Sequence, residues 1–159
     1  MAILINSLKK IQTKYKDNGV ITESDLPANT PILEFKGRIY RGTLPDNLNQ
    51  DYILQIGKEI YIGRSGNLDD YINHSCNPNC YVYSIGTRAF LYTINAIPKN
   101  TEITYDYSVT STNEENDWSM DCKCKSYNCR KKISGFKYLP DEVKLKYKTL
   151  GIIPKFLLK

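Results

Sequence analysis

The sequence predicts a mostly β domain that ends in a helix. Short apolar stretches alternate with polar residues and are separated by turn residues. Thirteen tyrosines stand against four phenylalanines, which is typical of strands that build an apolar wall carrying hydroxyl groups. Helix start and stop signals come together near the C-terminus. A length of 159 residues favours one domain with a single core.

The predicted strands follow one another along the first two thirds of the chain. Four stretches carry strand patterns: "TPILEFKGRIY" at 30–40, "DYILQIGKEIYIG" at 51–63, "CYVYSIGTRAFLYTI" at 80–94 and "EITYDY" at 102–107. A turn at Gly37 interrupts the first of them. Gly57-Lys58 and Gly86-Thr87 each sit between two alternating runs, which predicts a hairpin at both places.

The predicted helix lies in "LPDEVKLKYKTLG", residues 139–151. A proline and two acidic residues begin it, and Gly151 ends it. Val143, Tyr147 and Leu150 fall on one side. Before it, the stretch "SVTSTNEENDWSM" has loop composition, with Trp118 as its apolar anchor.

The net charge of +5 is divided unevenly along the chain. Residues 122–159 carry eleven Lys and Arg against two Asp and Glu, a net +9, which leaves −4 for the rest. Residues 101–121 hold six acids and no base: Glu102, Asp106, Glu114, Glu115, Asp117 and Asp121. Both runs are typical of solvated surface. Alternatively, the acidic segment attracts a basic substrate and the basic tail makes weak contact with nucleic acid.

The sequence predicts an intracellular protein without a membrane span. No apolar run reaches the ~20 residues that a spanning helix needs. The opening "MAILINSLKK" places its charges after its apolar patch, the wrong order for a secretory signal. In a reducing compartment, five cysteines favour metal or catalytic roles over disulfides.

The cysteine spacing predicts a zinc site. "CKCKSYNC" places Cys122, Cys124 and Cys129 in a C-x-C-x4-C array. Tetrahedral zinc takes four ligands, so the fourth comes from Cys76 or Cys80 in "NHSCNPNC" and clamps the tail onto the body of the fold. The alternative is a set of free thiols.

Four blocks together resemble the SET-domain protein lysine methyltransferases. "YINHSCNPN" resembles the family's N-H-S-C-x-P-N block, and "EITYDY", starting 29 residues after Asn73, resembles its E-L-x-x-D-Y block. "CKCKSYNCR" resembles the post-SET segment, and "NGVITESDLPANTPILEFKGRIY" resembles the opening block. The blocks stand in the family's order, and the resemblance covers roughly residues 14–133.

The resemblance implies a fold of small curved sheets. In it, the N-H-S-C and D-Y segments are threaded past one another in a knot-like arrangement, which is rare among folds. We accordingly expect a SET domain at 1–110, an acidic loop and post-SET zinc segment at 111–133, and a basic helical tail at 134–159.

The resemblance also implies where the cofactor S-adenosylmethionine binds. Asn18 and Gly19 belong to the opening loop that contacts it. Asn73 would hold its methionine end through the side chain, and His74 its adenine largely through the backbone. His74 is thus not expected to be a general base. The alternative is a structural histidine with its hydrogen bonds satisfied.

At the zinc site, the resemblance assigns Cys76 as the ligand that joins Cys122, Cys124 and Cys129. Cys80 is then left over, as a buried small hydrophobe.

The resemblance assigns catalytic roles to three tyrosines. Tyr107 matches the catalytic tyrosine of the D-Y block, with its hydroxyl near the transferring methyl group. Tyr105 is two residues earlier and points the same way on a strand, and Tyr52 lines the lysine channel. The alternative for each is a core tyrosine with a hydrogen-bonded hydroxyl. Trp118 either covers the cofactor or anchors its loop.

The reaction implied is an in-line displacement, in which a lysine amine attacks the methyl carbon of a sulfonium. Only the neutral amine has a free lone pair, and deprotonating a lysine of pKa about 10.4 at pH 7 costs about 4.6 kcal/mol. The positive sulfonium and a dry, tyrosine-lined channel both lower that pKa. No dedicated protein base is required, because alignment and polarisation of the methyl group complete the task.

Two positions depart from the family pattern. The usual G-x-G of the opening loop reads Asp17-Asn18-Gly19, and Asp70 stands where an arginine is common. They leave open a SET-like module that binds lysine or a partner with little catalysis. A small zinc protein with a nucleic-acid-binding tail is a further alternative. Intact Asn73, His74 and Tyr107 favour the enzyme.

For the enzyme, the resemblance implies a protein substrate with a lysine in a basic segment. Histone tails are the family's commonest target, and the protein would then work in a nucleus or a host nucleus. Tyr105 implies that mono- and dimethylation dominate.

Overall fold

The mostly β prediction is confirmed. The computed structural model describes residues 7–112 and 118–158. Within them the chain forms twelve short strands: β1 Leu8–Gln12, β2 Asn18–Thr22, β3 Pro31–Phe35, β4 Ile39–Arg41, β5 Leu54–Gly57, β6 Ile60–Ile62, β7 Asn73–His74, β8 Cys80–Ile85, β9 Arg88–Thr93, β10 Thr104–Tyr105, β11 Ser119–Asp121 and β12 Lys132–Ser134. One α-helix, α1, spans Asp141–Leu150, and five 3-10 turns span Gln50–Tyr52, Leu68–Tyr71, Tyr107–Thr110, Phe136–Tyr138 and Lys155–Leu157.

The strands form five small sheets in the described part of the chain, with orders β1-β2, β3-β9-β8, β4-β6-β5, β7-β10 and β11-β12. The two predicted hairpins are the antiparallel pairs β5-β6 and β8-β9. Gly37 separates β3 from β4, as predicted, with φ +121. A Cβ there would lie 2.1 Å from the carbonyl oxygen of Gly63, so this turn requires glycine.

The opening hairpin β1-β2 was not predicted. It pairs Leu8 with Thr22 and Gln12 with Asn18, and its first strand is mostly exposed. Strands without a buried face lack the alternation that identifies a strand in sequence. The hairpin places Asn18 and Gly19 at the start of β2.

A short parallel sheet joins the two most informative sequence blocks. In it β7 pairs with β10, with Asn73 opposite Thr104 and His74 opposite Tyr105. The pairing continues where the Ser75 amide donates to the Tyr105 carbonyl at 3.1 Å. The N-H-S-C and D-Y segments therefore lie side by side, as the threaded arrangement requires.

Two hydrophobic clusters hold the fold together. The larger one lies among the sheets and includes Val20, Ile32, Leu91 and Ile103. The second forms around the C-terminal residues and consists of Val109, Leu139, Tyr147, Ile152 and Leu157. The helix prediction is confirmed, and α1 ends at Gly151, with φ +67. The segment that follows the cysteines is thus packed onto the domain.

Part of the predicted acidic loop lies outside the described residues, namely Glu114, Glu115 and Asp117. The same holds for the first six residues of the chain. Among the helices that the structure describes, none has the length and apolar character needed to cross a membrane.

Candidate active site and metal centre

One cavity brings together the predicted cofactor and lysine-channel side chains. It has a volume of about 390 Å³. The predicted site residues that line it are Asn18, Tyr52, Asn73, Tyr105, Tyr107 and Trp118. These residues come from positions up to 100 apart in sequence, so the fold assembles the site.

Tyr107 is fixed at both its backbone and its hydroxyl. Its amide donates to Nδ1 of His74 at 3.1 Å, and its hydroxyl donates to the carbonyl oxygen of Ile72 at 2.8 Å. Burial raises the pKa of the Tyr107 phenol above its usual value, and the nearby charges of Glu102 and Asp51 raise it further. Tyr107 is therefore a neutral phenol. It donates its proton to the Ile72 carbonyl, and its oxygen can still accept a hydrogen bond.

Tyr105 lies beside Tyr107, with ring centroids 4.9 Å apart, as the shared direction along the strand predicts. Its ring also meets Phe35 edge to face at 6.0 Å. Burial raises the pKa of the Tyr105 phenol well above its usual value, while a hydrogen bond with the Thr110 side chain acts against this rise. The Thr110 hydroxyl donates to the Tyr107 backbone carbonyl at 3.0 Å, so the three residues form one connected group.

Tyr52 lies at the rim of the cavity. The Arg64 guanidinium stacks over its ring, 4.5 Å from the centroid. Arg64 also pairs with Asp70 at 3.5 Å, and Asp70 accepts from the amides of Ser65 at 3.0 Å and Gly66 at 2.7 Å. The acid at position 70 therefore makes an ion pair with Arg64. Because Arg64 is largely exposed, the pair contributes little stability.

Asn73 meets the opening hairpin through its amide nitrogen. This nitrogen donates to the Asn18 carbonyl at 2.7 Å and to Oε1 of Glu102 at 2.8 Å. Both amide hydrogens are thus engaged, which leaves the amide oxygen to accept from a ligand ammonium. A Cβ at Gly19 would lie 2.9 Å from the Asn73 nitrogen and 2.8 Å from Oε1 of Glu102. A side chain at position 19 would therefore displace one of these groups.

Lys16 and Glu102 also belong to this site, although the sequence did not predict them. The ammonium of Lys16 lies 3.3 Å from Glu102 and 3.4 Å from the carbonyl oxygen of His74. Lys16 lines the cavity, where it adds a positive charge beside Asn73. In the sequence, Glu102 is one of a run of acids. Its contact with Lys16 joins residues 86 apart, so no local pattern indicates the pair.

Asp17 takes the backbone conformation that glycine favours. Its φ is +55, in the left-handed region, and its carbonyl accepts from the Thr13 amide at 2.7 Å. Aspartate tolerates this region better than most residues. Asp17 thus stands at a position where glycine would be at no conformational cost.

His74 links the cavity to the cysteines. Since Nδ1 accepts from the Tyr107 amide, Nε2 carries the proton and lies 3.3 Å from Sγ of Cys76. Burial lowers the pKa of His74 to about 4, the charges of Arg130 and Lys16 act in the same direction, and Asp106 opposes them. The ring is neutral, with both nitrogens engaged, as expected for a histidine that is not a general base.

A group of potential metal ligands lies next to this histidine. Among the described residues, ligand atoms of His74, Cys76, Cys122 and Cys124 all lie within 4.8 Å of one another. The sulfurs of Cys76 and Cys122 are 3.7 Å apart. Two thiolates bound to tetrahedral zinc at about 2.3 Å stand about 3.8 Å apart, so the donor set fits zinc.

Two residues, Cys129 and His74, are candidates for the fourth ligand. Cys129 lies outside the group of four, although its side chain hydrogen-bonds to that of Cys122. Because Nε2 of His74 carries a proton, this nitrogen donates to the Cys76 sulfur and does not offer a lone pair to a metal. Cys129 as the fourth ligand therefore stays a prediction.

Burial raises the pKa of two of the clustered thiols, Cys76 and Cys122, above the usual value, whereas the pKa of Cys124 is lowered. All five cysteines are free. Burial raises the pKa of Cys76 to about 11, against the hydrogen bond that the Arg130 amide donates to its sulfur. Burial also disfavours the Cys124 thiolate, but hydrogen bonds from Cys76, Ser126 and Cys122 lower its pKa to about 6. Cys80 packs within the larger hydrophobic cluster.

The chain belongs to the SET domain family, whose model matches residues 17–108. It is 28% identical over 144 residues to histone-lysine N-methyltransferase ASHH3 of Arabidopsis thaliana, covering 81% of this chain and 39% of that protein. It is 30% identical over 145 residues to the H3 lysine-36 specific histone-lysine N-methyltransferase of Candida albicans, covering 82% and 17%. The chain thus spans under two fifths of the length of these relatives.

Solved structures show the same fold. The crystal structure of KRYPTONITE in complex with mCHG DNA and SAH matches with a TM-score of 0.67 and 28% identity, covering 81% of this chain and 29% of that one. A KRYPTONITE complex with mCHH DNA, an H3(1-15) peptide and SAH matches with the same TM-score at 27% identity, covering 82% and 30%. The predicted SET fold is confirmed.

Proposed function

We propose that the protein transfers methyl groups from S-adenosylmethionine to the side-chain amine of lysine in a protein substrate. The observation that carries this proposal is the shared cavity of Asn73, Tyr105 and Tyr107 within a SET fold. The relatives named above are histone-lysine N-methyltransferases. Two of the similar structures contain SAH, the product of such a transfer.

The opening hairpin and β7 would hold the cofactor. Asn18 and Gly19 bring the backbone of β2 close to Asn73, and the Asn73 amide oxygen would accept from the cofactor's ammonium. Lys16 lies where its charge would meet a carboxylate. The His74 backbone would face the adenine, since its ring is already engaged. When bound, S-adenosylmethionine supplies an electrophilic methyl group.

The tyrosines would prepare the substrate amine and the methyl group for reaction. Tyr107 is a neutral phenol whose oxygen can accept from the methyl hydrogens, and this contact orients and polarises the methyl group. Tyr52 and Tyr105 line the same cavity and would keep bulk water from the lysine. Exclusion of water lowers the lysine pKa, which reduces the ~4.6 kcal/mol cost of deprotonation at pH 7.

Zinc would be structural and would be held by Cys76, Cys122, Cys124 and Cys129. Cys76 follows β7 and the other three lie beyond residue 121. The metal would therefore fasten the post-SET segment beside the cavity, where Trp118 and Met120 already line the wall.

Mono- and dimethylation would dominate the product. The Tyr105 hydroxyl pairs with Thr110, and a second lone pair on the phenol oxygen remains available to a water. A water held there would occupy space that a further methyl group needs. Displacing it costs about 1 to 2 kcal/mol, enough to slow a later transfer by about tenfold.

The substrate would be a histone tail, and the protein would work in a nucleus or host nucleus. Four acids, Asp17, Asp51, Asp69 and Asp70, and two lysines, Lys16 and Lys36, line the cavity, and this excess of negative charge attracts a basic peptide. One KRYPTONITE complex contains an H3(1-15) peptide and DNA. Weak nucleic-acid contact would involve the exposed lysines of α1, Lys146 and Lys148.

The test is incubation with S-adenosylmethionine labelled in its methyl group, together with core histones or a cell lysate. Mass spectrometry then identifies the labelled residue. Label on lysine side chains supports the proposal. Binding of S-adenosylhomocysteine without any transfer would support the lysine- or partner-binding module. Absence of cofactor binding with affinity for DNA would support the zinc protein with a nucleic-acid-binding tail.

A further inference from the structure

The carboxylate of Asp106 joins three distant parts of the chain. Asp106 is 2% exposed and directly precedes Tyr107 in sequence. Arg130 binds it with both terminal nitrogens, at 2.7 and 2.8 Å, and the Tyr147 hydroxyl donates to it at 2.8 Å. The Ser108 amide donates to it at 3.0 Å. The hydrogen-bonding capacity of this buried carboxylate is thus filled by the D-Y segment, the zinc segment and α1 together.

The hydrogen bond from the Ser108 amide to Asp106 shapes the turn that carries Tyr107. Asp106 caps the 3-10 turn Tyr107–Thr110 by accepting from the Ser108 amide. The position of its carboxylate therefore sets where the turn begins and where the Tyr107 amide points. That amide meets Nδ1 of His74 at 3.1 Å, so a shift of the turn would move Tyr107 relative to β7.

The contact between Arg130 and Asp106 ties the turn to the cysteines. Arg130 follows Cys129 directly, and its amide donates to Sγ of Cys76 at 3.3 Å. Its side chain binds Asp106 in the bidentate geometry that guanidinium groups favour and also donates to the Ser108 hydroxyl at 3.1 Å. One residue thus touches both the metal-ligand group and the cap of the catalytic turn.

The contact between Tyr147 and Asp106 ties the turn to the C-terminal helix. Tyr147 is the buried residue of α1 and is 1% exposed. Its ring packs with Val109, Leu139 and Ile152. A phenylalanine would fill the same space, so packing alone does not account for the hydroxyl. The hydroxyl has a specific partner in Oδ2 of Asp106.

We infer that Arg130 and Tyr147 are positioning residues for Tyr107, and that the helix after the zinc segment belongs to the framework of the active site. Both act through the Asp106 carboxylate, which Arg130 binds from the zinc segment and Tyr147 from α1. The inference rests on the proposed methyl transfer for its kinetic consequence and on geometry alone for its effect on the turn.

The test compares Tyr147→Phe with the wild-type protein of residues 1–159, both loaded with zinc. Amide hydrogen exchange is measured with residue-level resolution, and kcat and KM are measured with S-adenosylmethionine and core histones. We expect the amides of Tyr107 and Ser108 to exchange at least about fivefold faster in the variant, with β8 and β9 unchanged. We expect kcat to fall about fivefold while both KM values stay within about twofold.

Two further variants accompany this comparison. Tyr127→Phe removes a hydroxyl from a side chain that is 88% exposed, and we expect it to match wild type in both measurements. Arg130→Lys keeps the charge but loses the bidentate geometry, and we expect it to shift exchange and kcat in the same direction as Tyr147→Phe.

The inference is overturned if Tyr147→Phe and Arg130→Lys leave Tyr107 and Ser108 exchange at the wild-type rate. It is also overturned if exchange rises equally in all strands while kcat is kept, because Tyr147 would then contribute only to general stability. A wild-type protein without methyl transfer would refute the proposed function, and the exchange measurement would still decide the positioning role.

Discussion

The hydroxyl of Tyr107 lies 2.8 Å from the carbonyl oxygen of Ile72 and donates to it. Ile72 directly precedes Asn73 and His74, so the D-Y segment is fastened to the N-H-S-C segment by a side chain as well as by the β7-β10 pairing. The Tyr107 amide adds a third link through His74. These links fix the phenol oxygen beside the predicted cofactor residues.

Replacing Tyr107 by phenylalanine removes the hydroxyl and keeps the ring. We expect turnover to fall by about 10² or more, the range of a positioned catalytic group. The affinity for S-adenosylhomocysteine, measured by calorimetry, should stay near that of wild type, because the proposed cofactor contacts lie on β2 and β7. Turnover equal to wild type would show that Tyr107 does not have this role.

The pH dependence should reflect the substrate lysine and not Tyr107. Burial raises the pKa of the Tyr107 phenol above its usual value, so the phenol stays neutral as the pH rises. The neutral fraction of a substrate lysine grows up to its pKa of about 10.4. We expect kcat/KM to rise with pH in wild type and with the same slope in Tyr107→Phe. A slope that is lost in the variant would make Tyr107 the base.

We expect one zinc per chain, measured by elemental analysis of protein purified without chelator. Structural zinc contributes on the order of 10 kcal/mol to small sites, so chelation should disorder the chain beyond residue 110 and abolish activity. Limited proteolysis monitors the disorder. Cys76→Ser should lose the metal, whereas Cys80→Ala, a change within the larger hydrophobic cluster, should keep it. Protein without stoichiometric metal would contradict the site.

Gly19→Ala should weaken cofactor binding. Its Cβ would lie 2.7 Å from Cγ2 of Thr13 and 2.8 Å from Oε1 of Glu102. Relieving such overlap displaces the hairpin or Asn73 at a cost of about 1 to 3 kcal/mol, and we expect a loss of affinity of about tenfold or more in calorimetry. Gly57→Ala is the matched control, because its Cβ would meet Ile60 at 3.2 Å or more. Equal affinities for both variants would remove Gly19 from the binding site.

Tyr105→Phe should raise the share of trimethyl-lysine. The change removes the hydroxyl that would hold a water, while the contacts of the ring with Phe35 and Tyr107 remain. Mass spectrometry after long incubation measures the product distribution. A wild-type product that is mostly trimethyl-lysine, or a variant with an unaltered distribution, would remove Tyr105 from this role.

The sequence blocks located the site because its chemistry is concentrated in short segments. Asn73, His74 and Cys76 lie within four residues, and Tyr105 and Tyr107 within three. Periodicity also predicted β8-β9 and α1. It placed Leu150 on the same side of the helix as Tyr147, and there Leu150, at the last position of α1, is 46% exposed.

Contacts between distant residues could not be predicted in this way. The Lys16–Glu102 pair and the Arg130–Asp106 pair join residues 86 and 24 apart, and their residue types are the commonest on protein surfaces. Charge alone placed Arg130 in a basic tail. Its burial against Asp106 follows from the threading of the whole fold, which no local pattern contains.

The central claim is that this cavity transfers a methyl group to lysine. The most direct measurement is a single-turnover chase, in which protein loaded with one equivalent of methyl-labelled S-adenosylmethionine meets excess unlabelled cofactor together with core histones and lysate proteins. We predict label on lysine side chains, S-adenosylhomocysteine equal to all methyl groups transferred, labelled and unlabelled together, and a transfer by Tyr107→Phe that is slower by about 10². Bound label that leaves unchanged into the chase, with no lysine modified in either protein mixture, would contradict the account.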